Sequence, residues 1–126
     1  MTTFADMAVQ AVRSAGALLE LGDGRGAVNR AYYADFHAAR AALNAIEPGL
    51  GDAKKHTTIL RRFSQHLVKQ GAIGEQFGRI ATREFDVRGA ADYEQEDIDP
   101  DIAASQVASA EECVTEVLAF LKSRNP

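Results

Sequence analysis

The sequence predicts an all-α protein, a single antiparallel up-and-down bundle of four long helices and one shorter one over residues 1–126. Three observations carry this. Apolar residues recur at steps of three and four almost throughout. No segment keeps the strict apolar–polar alternation of a half-buried strand for more than a few residues. The helical patterns break at turn chemistry, in LGDG, PGLG and DIDP. A chain of 126 residues is long enough to bury one core without staples.

Phe4, Met7, Ala8, Ala11, Ala15 and Leu18 form one stripe, which sets a first helix over roughly 3–21, ended by Gly22 and Gly24. A second helix covers roughly 25–47, with Pro48 and Gly49 at its end and PGLGDAKK as a loop. Ile59, Leu60, Phe63 and Leu67 define a third, stopping near Gly71. Ile73, Phe77, Ile80, Ala81 and Val87 define a fourth, to about 89. ADYEQEDIDP is too acidic and too poor in apolar residues to be core, and it is expected to be an exposed loop. The last helix has the clearest start. Asp99 is a good N-cap, Pro100 suits the first helical position, and Asp101 complements the positive helix end. Ala103, Val107, Ala110, Val114, Val117 and Leu121 then follow at steps of four and three.

Composition excludes several classes. No apolar run approaches the roughly 18 residues needed to cross a membrane. MTTFADMAVQAV lacks a basic start and a long apolar block, so it does not read as a signal peptide. Cys113 is the only cysteine, which rules out an intrachain disulfide and suits buried packing. Cytoplasmic residence is the resulting expectation. The net charge of −4 disfavours indiscriminate nucleic-acid binding. Charge is unevenly spread, however: net −1 over residues 1–51, +4 over 52–90 and −7 over 91–126. The basic middle could form an anion-binding face or could simply neutralise the acidic tail. His37, His56 and His66 lie on separate segments, and no metal or cofactor is expected. LGDGRG lacks the lysine and strand context of a phosphate-cradling loop, and there is no serine nucleophile elbow.

The most informative stretch is NRAYYADFHAARAAL, residues 29–43. Tyr32, Phe36, Ala39 and Leu43 make one stripe, assigned to the core. Arg30, Tyr33 and His37 make a second, about 100° away. Seven residues turn a helix through roughly 700°, so Arg30 and His37 lie nearly in register. Ala27, Ala31, Ala34, Ala38, Ala41 and Ala42 let neighbouring backbones approach, which makes this a central helix. Two readings of the polar stripe stay open. Arg30 could pair with a carboxylate from another helix while His37 is a satisfied interior histidine, or both could face a ligand cleft.

Other candidates are weaker. Lys54, Lys55 and His56 open the third helix, where backbone N–H groups favour anions, though a solvated helix start looks the same. Arg62, His66 and Lys69 share a face that suits plain solvation. Arg79 and Arg83 are one turn apart and repel unless an anion intervenes, whereas Glu84 and Arg88 form a favourable pair. Arg88 has Asp92 and Tyr93 within reach in RGAADY.

Taken together, NRAYYADFHAARAAL, KKHTTILRRFSQHLVKQGAI and RIATREFDVRGAADY resemble, in order and spacing, the small stand-alone prokaryotic HEPN proteins (higher eukaryotes and prokaryotes nucleotide-binding). The shared pattern is an RAYYA-x-FHAA helix, a K-x-H segment before a phenylalanine helix, and an arginine shortly before A-D-Y. The resemblance implies an up-and-down bundle that is usually a homodimer. It also implies a place among metal-independent ribonucleases and toxins, often encoded beside a small nucleotidyltransferase. The family's active site is an arginine followed, after four to six residues, by a histidine on a late helix. Arg88 matches the arginine here, but Tyr93 stands where the histidine would be. A phenol with a pKa of about 10 is a poor proton shuttle at neutral pH. Arg30 and His37 satisfy the spacing, but on an early helix.

The expected ligand cleft joins Arg30, Tyr33, His37, Lys55, His56, Arg88, Asp92 and Tyr93. Three functions compete. The first is a toxin–antitoxin-type component that binds a nucleotide or RNA and partners a nucleotidyltransferase, with Tyr93 able to accept a nucleotidyl group. The second is a metal-independent endoribonuclease, in which Arg88 steadies the phosphorane and His37 or His56 moves protons. The third is a non-catalytic interaction bundle.

Overall fold

The structure is a computed structural model and describes residues 2–74 and 98–124. All regular structure among these residues is helical, as the spacing predicts. The elements are α1 (Phe4–Glu20), α2 (Gly24–Ile46), α3 (His56–Phe63) with a π-helical turn at Ser64–Val68, and α4 (Pro100–Arg124). The helix expected over 73–89 and most of the acidic loop after it lie outside the described residues. So do Arg79, Arg83, Glu84, Arg88, Asp92 and Tyr93.

α1 starts with a capping box. The Thr3 hydroxyl accepts from the Asp6 N–H at 3.1 Å, and the Asp6 carboxylate accepts from the Thr3 N–H at 3.1 Å. The helix ends where Gly22 takes φ = +82°, a left-handed conformation that costs glycine little. There the Gly22 N–H reaches the Leu19 carbonyl and the Asp23 N–H the Leu18 carbonyl, satisfying two carbonyls the helix would otherwise orphan. Asp23 then caps α2 through the Gly26 N–H at 2.8 Å. One residue therefore closes α1 and opens α2, and the two helices form a tight antiparallel hairpin.

α2 occupies the centre, packed against α1, α3 and α4. Its alanines explain how one helix can serve three neighbours. Ala27, Ala31, Ala34, Ala38 and Ala42 are fully buried, and α1 answers with Ala8, Ala11 and Ala15. Larger core groups come from Tyr32, Phe36 and Leu43 of α2, Ile59 and Phe63 of α3, Leu67 of the π turn, and Val107, Val114 and Val117 of α4. Gly24 lies against Ala103, Asp35 beside Cys113, and the Arg124 Nε donates to the Ala45 carbonyl. Numbers rise together along both helices, so α4 runs parallel to α2. Its start follows the sequence reading, since Asp99 accepts from the Asp101 N–H at 2.7 Å.

The third helix departs from the regular helix its spacing predicts. Between Ser64 and Val68 the ladder widens, and the Lys69 N–H bonds the Ser64 carbonyl, five residues back, at 2.9 Å. Ile59, Phe63 and Leu67 are all buried, so the turn absorbs one residue without breaking the apolar stripe. The loop before α3 is tied down by polar side chains. Asn44 accepts from the Gly51 N–H and donates to Asp52, Arg40 donates to the Ala53 carbonyl, and Arg62 donates to the Leu50 carbonyl. Gly51 passes so close to the Arg40 carbonyl that no Cβ fits. No helix among the described residues is long and apolar enough to cross a membrane.

Candidate functional site

α2 carries two stripes of different chemistry, as its spacing predicts. Tyr32 and Phe36 are buried, at 1 % and 3 % exposure, and their rings stack at 6.1 Å. Arg30, Tyr33 and His37 are half-buried on the flank. The Arg30 guanidinium lies 5.0 Å from the Tyr33 ring centroid, and the Tyr33 and His37 rings are 6.1 Å apart.

Arg30 and His37 line one small pocket together with Met7, Gln10, Ala11 and Ser14 of α1. Its volume is about 190 Å³. The Arg30 Nε and the His37 Nδ1 are buried, and neither has a hydrogen-bond partner among the described residues. Among those residues, then, the structure does not supply the interior carboxylate partner that one reading of this stripe requires. Burial is the main force lowering the His37 pKa below its ordinary value, followed by the charges of Arg40, Arg30 and His56. His37 is accordingly a neutral imidazole at pH 7. Phe4 stacks on its ring at 6.0 Å, and Arg40 lies over Phe36 at 4.4 Å and over Phe4 at 5.1 Å.

The other expected site residues divide. His56 is half-buried at the start of α3, its Nδ1 2.5 Å from the Tyr32 hydroxyl and its ring 4.2 Å from that of Phe36. It touches the Tyr33 ring edge-on at 6.2 Å, so it belongs to the same aromatic cluster. Lys55 is exposed, and its side chain makes no cap hydrogen bond to the helix. Arg88, Asp92 and Tyr93 lie outside the described residues.

Two features were not singled out from sequence. The first is Gln10 and Ser14, one turn apart on α1, which form the far wall of the pocket. Their spacing was visible, but only the pairing of α1 with α2 shows what they face. The second is Asp35, 3 % exposed, with neither carboxyl oxygen hydrogen-bonded by the geometry of the described residues. Burial pushes its pKa up to about 7, and the neighbouring Cys113 thiol, a weak donor, pulls only slightly the other way. Cys113 is buried as its sequence context suggests, and burial together with Asp35 raises its pKa well above the ordinary thiol value. A larger groove of about 550 Å³, along Thr3, Phe4, Met7, Ala41, Asn44 and Leu121, is mainly apolar among the described residues.

Comparison with known proteins agrees with this architecture. A family model described as HEPN domain matches residues 2–124. The candidate toxin MJ0605 of Methanocaldococcus jannaschii is 38 % identical over 98 residues, which covers 78 % of this chain and 71 % of that protein. The UPF0332 protein PH1297 of Pyrococcus horikoshii is 41 % identical over 69 residues, 55 % of this chain and 46 % of that protein. The aligned part thus spans less than half of the second relative.

Proposed function

Because the chain belongs to the HEPN family, we propose that it is a toxin-like HEPN module, one component of a toxin–antitoxin pair. In this reading it works as a homodimer in the cytoplasm, engages a nucleotide or RNA, and partners a small nucleotidyltransferase. The toxin-like assignment draws on the name of the 38 % identical relative. The ligand-binding half rests on one observation. Arg30 and His37 stand on a central helix with buried nitrogens unmatched among the described residues. A residue pair kept for packing alone would be expected to have those nitrogens satisfied. Arginine suits phosphate through paired, charge-assisted hydrogen bonds. Arg88 and Tyr93 stay in the proposal on sequence grounds, with Tyr93 as the acceptor of a nucleotidyl group.

The experiment is expression in a bacterial host, alone and with the neighbouring nucleotidyltransferase if one is encoded there. Growth arrest relieved by the partner, together with co-purification of the two, is the expected result. Normal growth at full expression and no co-purification would defeat the proposal. A second reading, metal-independent ribonuclease, is favoured by the neutral imidazole of His37 beside the fixed charge of Arg30. It predicts RNA cleavage in the presence of a chelator, lost in Arg88→Ala and reduced in His37→Gln.

A further inference from the structure

The α1–α2 interface is mostly alanine against alanine, which brings the two backbones together and leaves no room for a ligand. At Gln10, Ser14, Arg30 and His37 that seam opens into a polar pocket. Both walls are regular helix, and the hairpin is fixed at its turn by the two bonds around Gly22 and the Asp23 cap. The pocket is therefore preformed.

We infer that this pocket seats a single phosphate group, with Arg30 supplying the charge and Ser14, Gln10 and His37 the surrounding hydrogen bonds. It deepens the nucleotide-binding reading above and rests on it for the source of the phosphate. The chemistry of the lining selects the ligand. Arg30 is a permanent cation, Gln10 and Ser14 can both donate, and the neutral His37 ring carries one N–H. Among the described residues no carboxylate lines the pocket, so none of them offers a cation a counter-charge. Donors stand on two facing helices rather than in one plane. A tetrahedral oxyanion presents oxygens to both walls at once, whereas a planar carboxylate engages one fork. Size sets the other limit. At about 190 Å³ the pocket is smaller than the roughly 300 Å³ at which pockets that enclose drug-sized ligands begin. The phosphate and its nearest waters fit, while a sugar and base remain outside.

The test uses inorganic phosphate as the probe and the His37 ring resonances as the readout, against chloride at matched ionic strength. Expected is a saturable shift in millimolar phosphate. The His37 titration curve should move to higher pH, because a bound anion offsets the Arg40 and Arg30 charges that, after burial, depress its pKa. Arg30→Gln should weaken binding by roughly tenfold or more, as loss of a charge-assisted contact requires. Ser14→Ala, which favours the helix and cannot unfold it by strain, should weaken binding a few-fold. A nucleoside monophosphate and a short RNA bearing a terminal phosphate form the second arm. Competition by either with inorganic phosphate assigns the source to nucleic acid. Binding of inorganic phosphate alone keeps the pocket and removes the nucleotide half of the proposed function. An unmoved His37 resonance in every probe, or a shift indifferent to both Arg30→Gln and Ser14→Ala, overturns the inference. Partner-relieved growth arrest would survive that result, so the two readings fail separately.

Discussion

Replacing Asp35 with asparagine should change how stability depends on pH more than it changes stability itself. Asp35 is 3 % exposed between α2 and α4, so solvent offers its charge almost no screening. Its pKa stands at about 7 in the folded chain against an ordinary 3.8, chiefly because burial penalises the carboxylate. The folded state therefore holds a proton that the unfolded chain gives up. This contribution is fully present below about pH 4 and is lost progressively as pH rises through about 7. Each pH unit in that window is worth about 1.4 kcal/mol, so the loss totals about 4 kcal/mol. Asparagine has nearly the same shape and no proton to lose. A buried amide adds its own cost, but that cost does not vary with pH. The measurement is urea denaturation of both proteins, followed by far-UV circular dichroism at fixed protein concentration, across this pH range. The stability of Asp35→Asn relative to the parent should grow by about 4 kcal/mol from acid to mildly alkaline pH. Parallel profiles for the two proteins would show that the carboxyl is ionised at no cost and that the packing argument is wrong.

Phe36→Ala should cost about 3–5 kcal/mol in thermal or chemical unfolding, as emptied aromatic sites do; His37→Gln, on the half-buried flank, should cost far less, and an equal loss would make His37 a structural histidine. His37→Gln should also flatten the acid limb, because below about pH 6.5 the unfolded chain takes up a proton that the folded imidazole resists; an unchanged limb would contradict the lowered pKa. Gly51→Ala should destabilise by about 1–3 kcal/mol, since its Cβ has no room beside the Arg40 carbonyl; a neutral substitution would mean the loop can move aside. Thr3→Ala should cost about 1 kcal/mol through loss of the capping box; an unchanged melting temperature would show that the first turn of α1 contributes nothing.

The helical class was legible because three long segments keep one apolar period and end at glycines or start at caps, signals that act locally. Gly22, Asp99 and Pro100 illustrate this: each does in the structure what its chemistry dictates in an isolated peptide. The separation of Tyr32 and Phe36 from Arg30 and His37 was legible for the same reason, since a single helix fixes the angle between its own stripes. The π turn was not, because an apolar step of four at Phe63–Leu67 is compatible with either ladder. Nor was the parallel course of α4 along α2, which depends on how many helices intervene. The far wall of the pocket belongs to the same class. Gln10 and Ser14 look like ordinary surface residues of an amphipathic helix until the partner helix is known. Asp35 escaped notice for the opposite reason. In YYADFHAA its neighbours on either side suggested a mixed face, and nothing local reveals that its own side chain points at Cys113 on a helix almost eighty positions away.

The double duty of Asp23 bears on how this molecule comes into being. Closing one helix and opening the next with the same residue leaves no slack in the joint. Ser14 and Arg30 are close in sequence, so the two walls of the pocket can meet as soon as this hairpin leaves the ribosome, before α4 has been made. Short-range pairings of this kind close fast and at little entropic cost. A residue inserted in the joint would add little to that closure cost, but it would uncouple the Asp23 cap from the end of α1 and let α2 turn against α1. Arg30 and His37 would then be carried away from Gln10 and Ser14 while each helix kept its own fold. Chain length between Leu21 and Gly24 is thus as much a determinant of the site as any side chain that lines it.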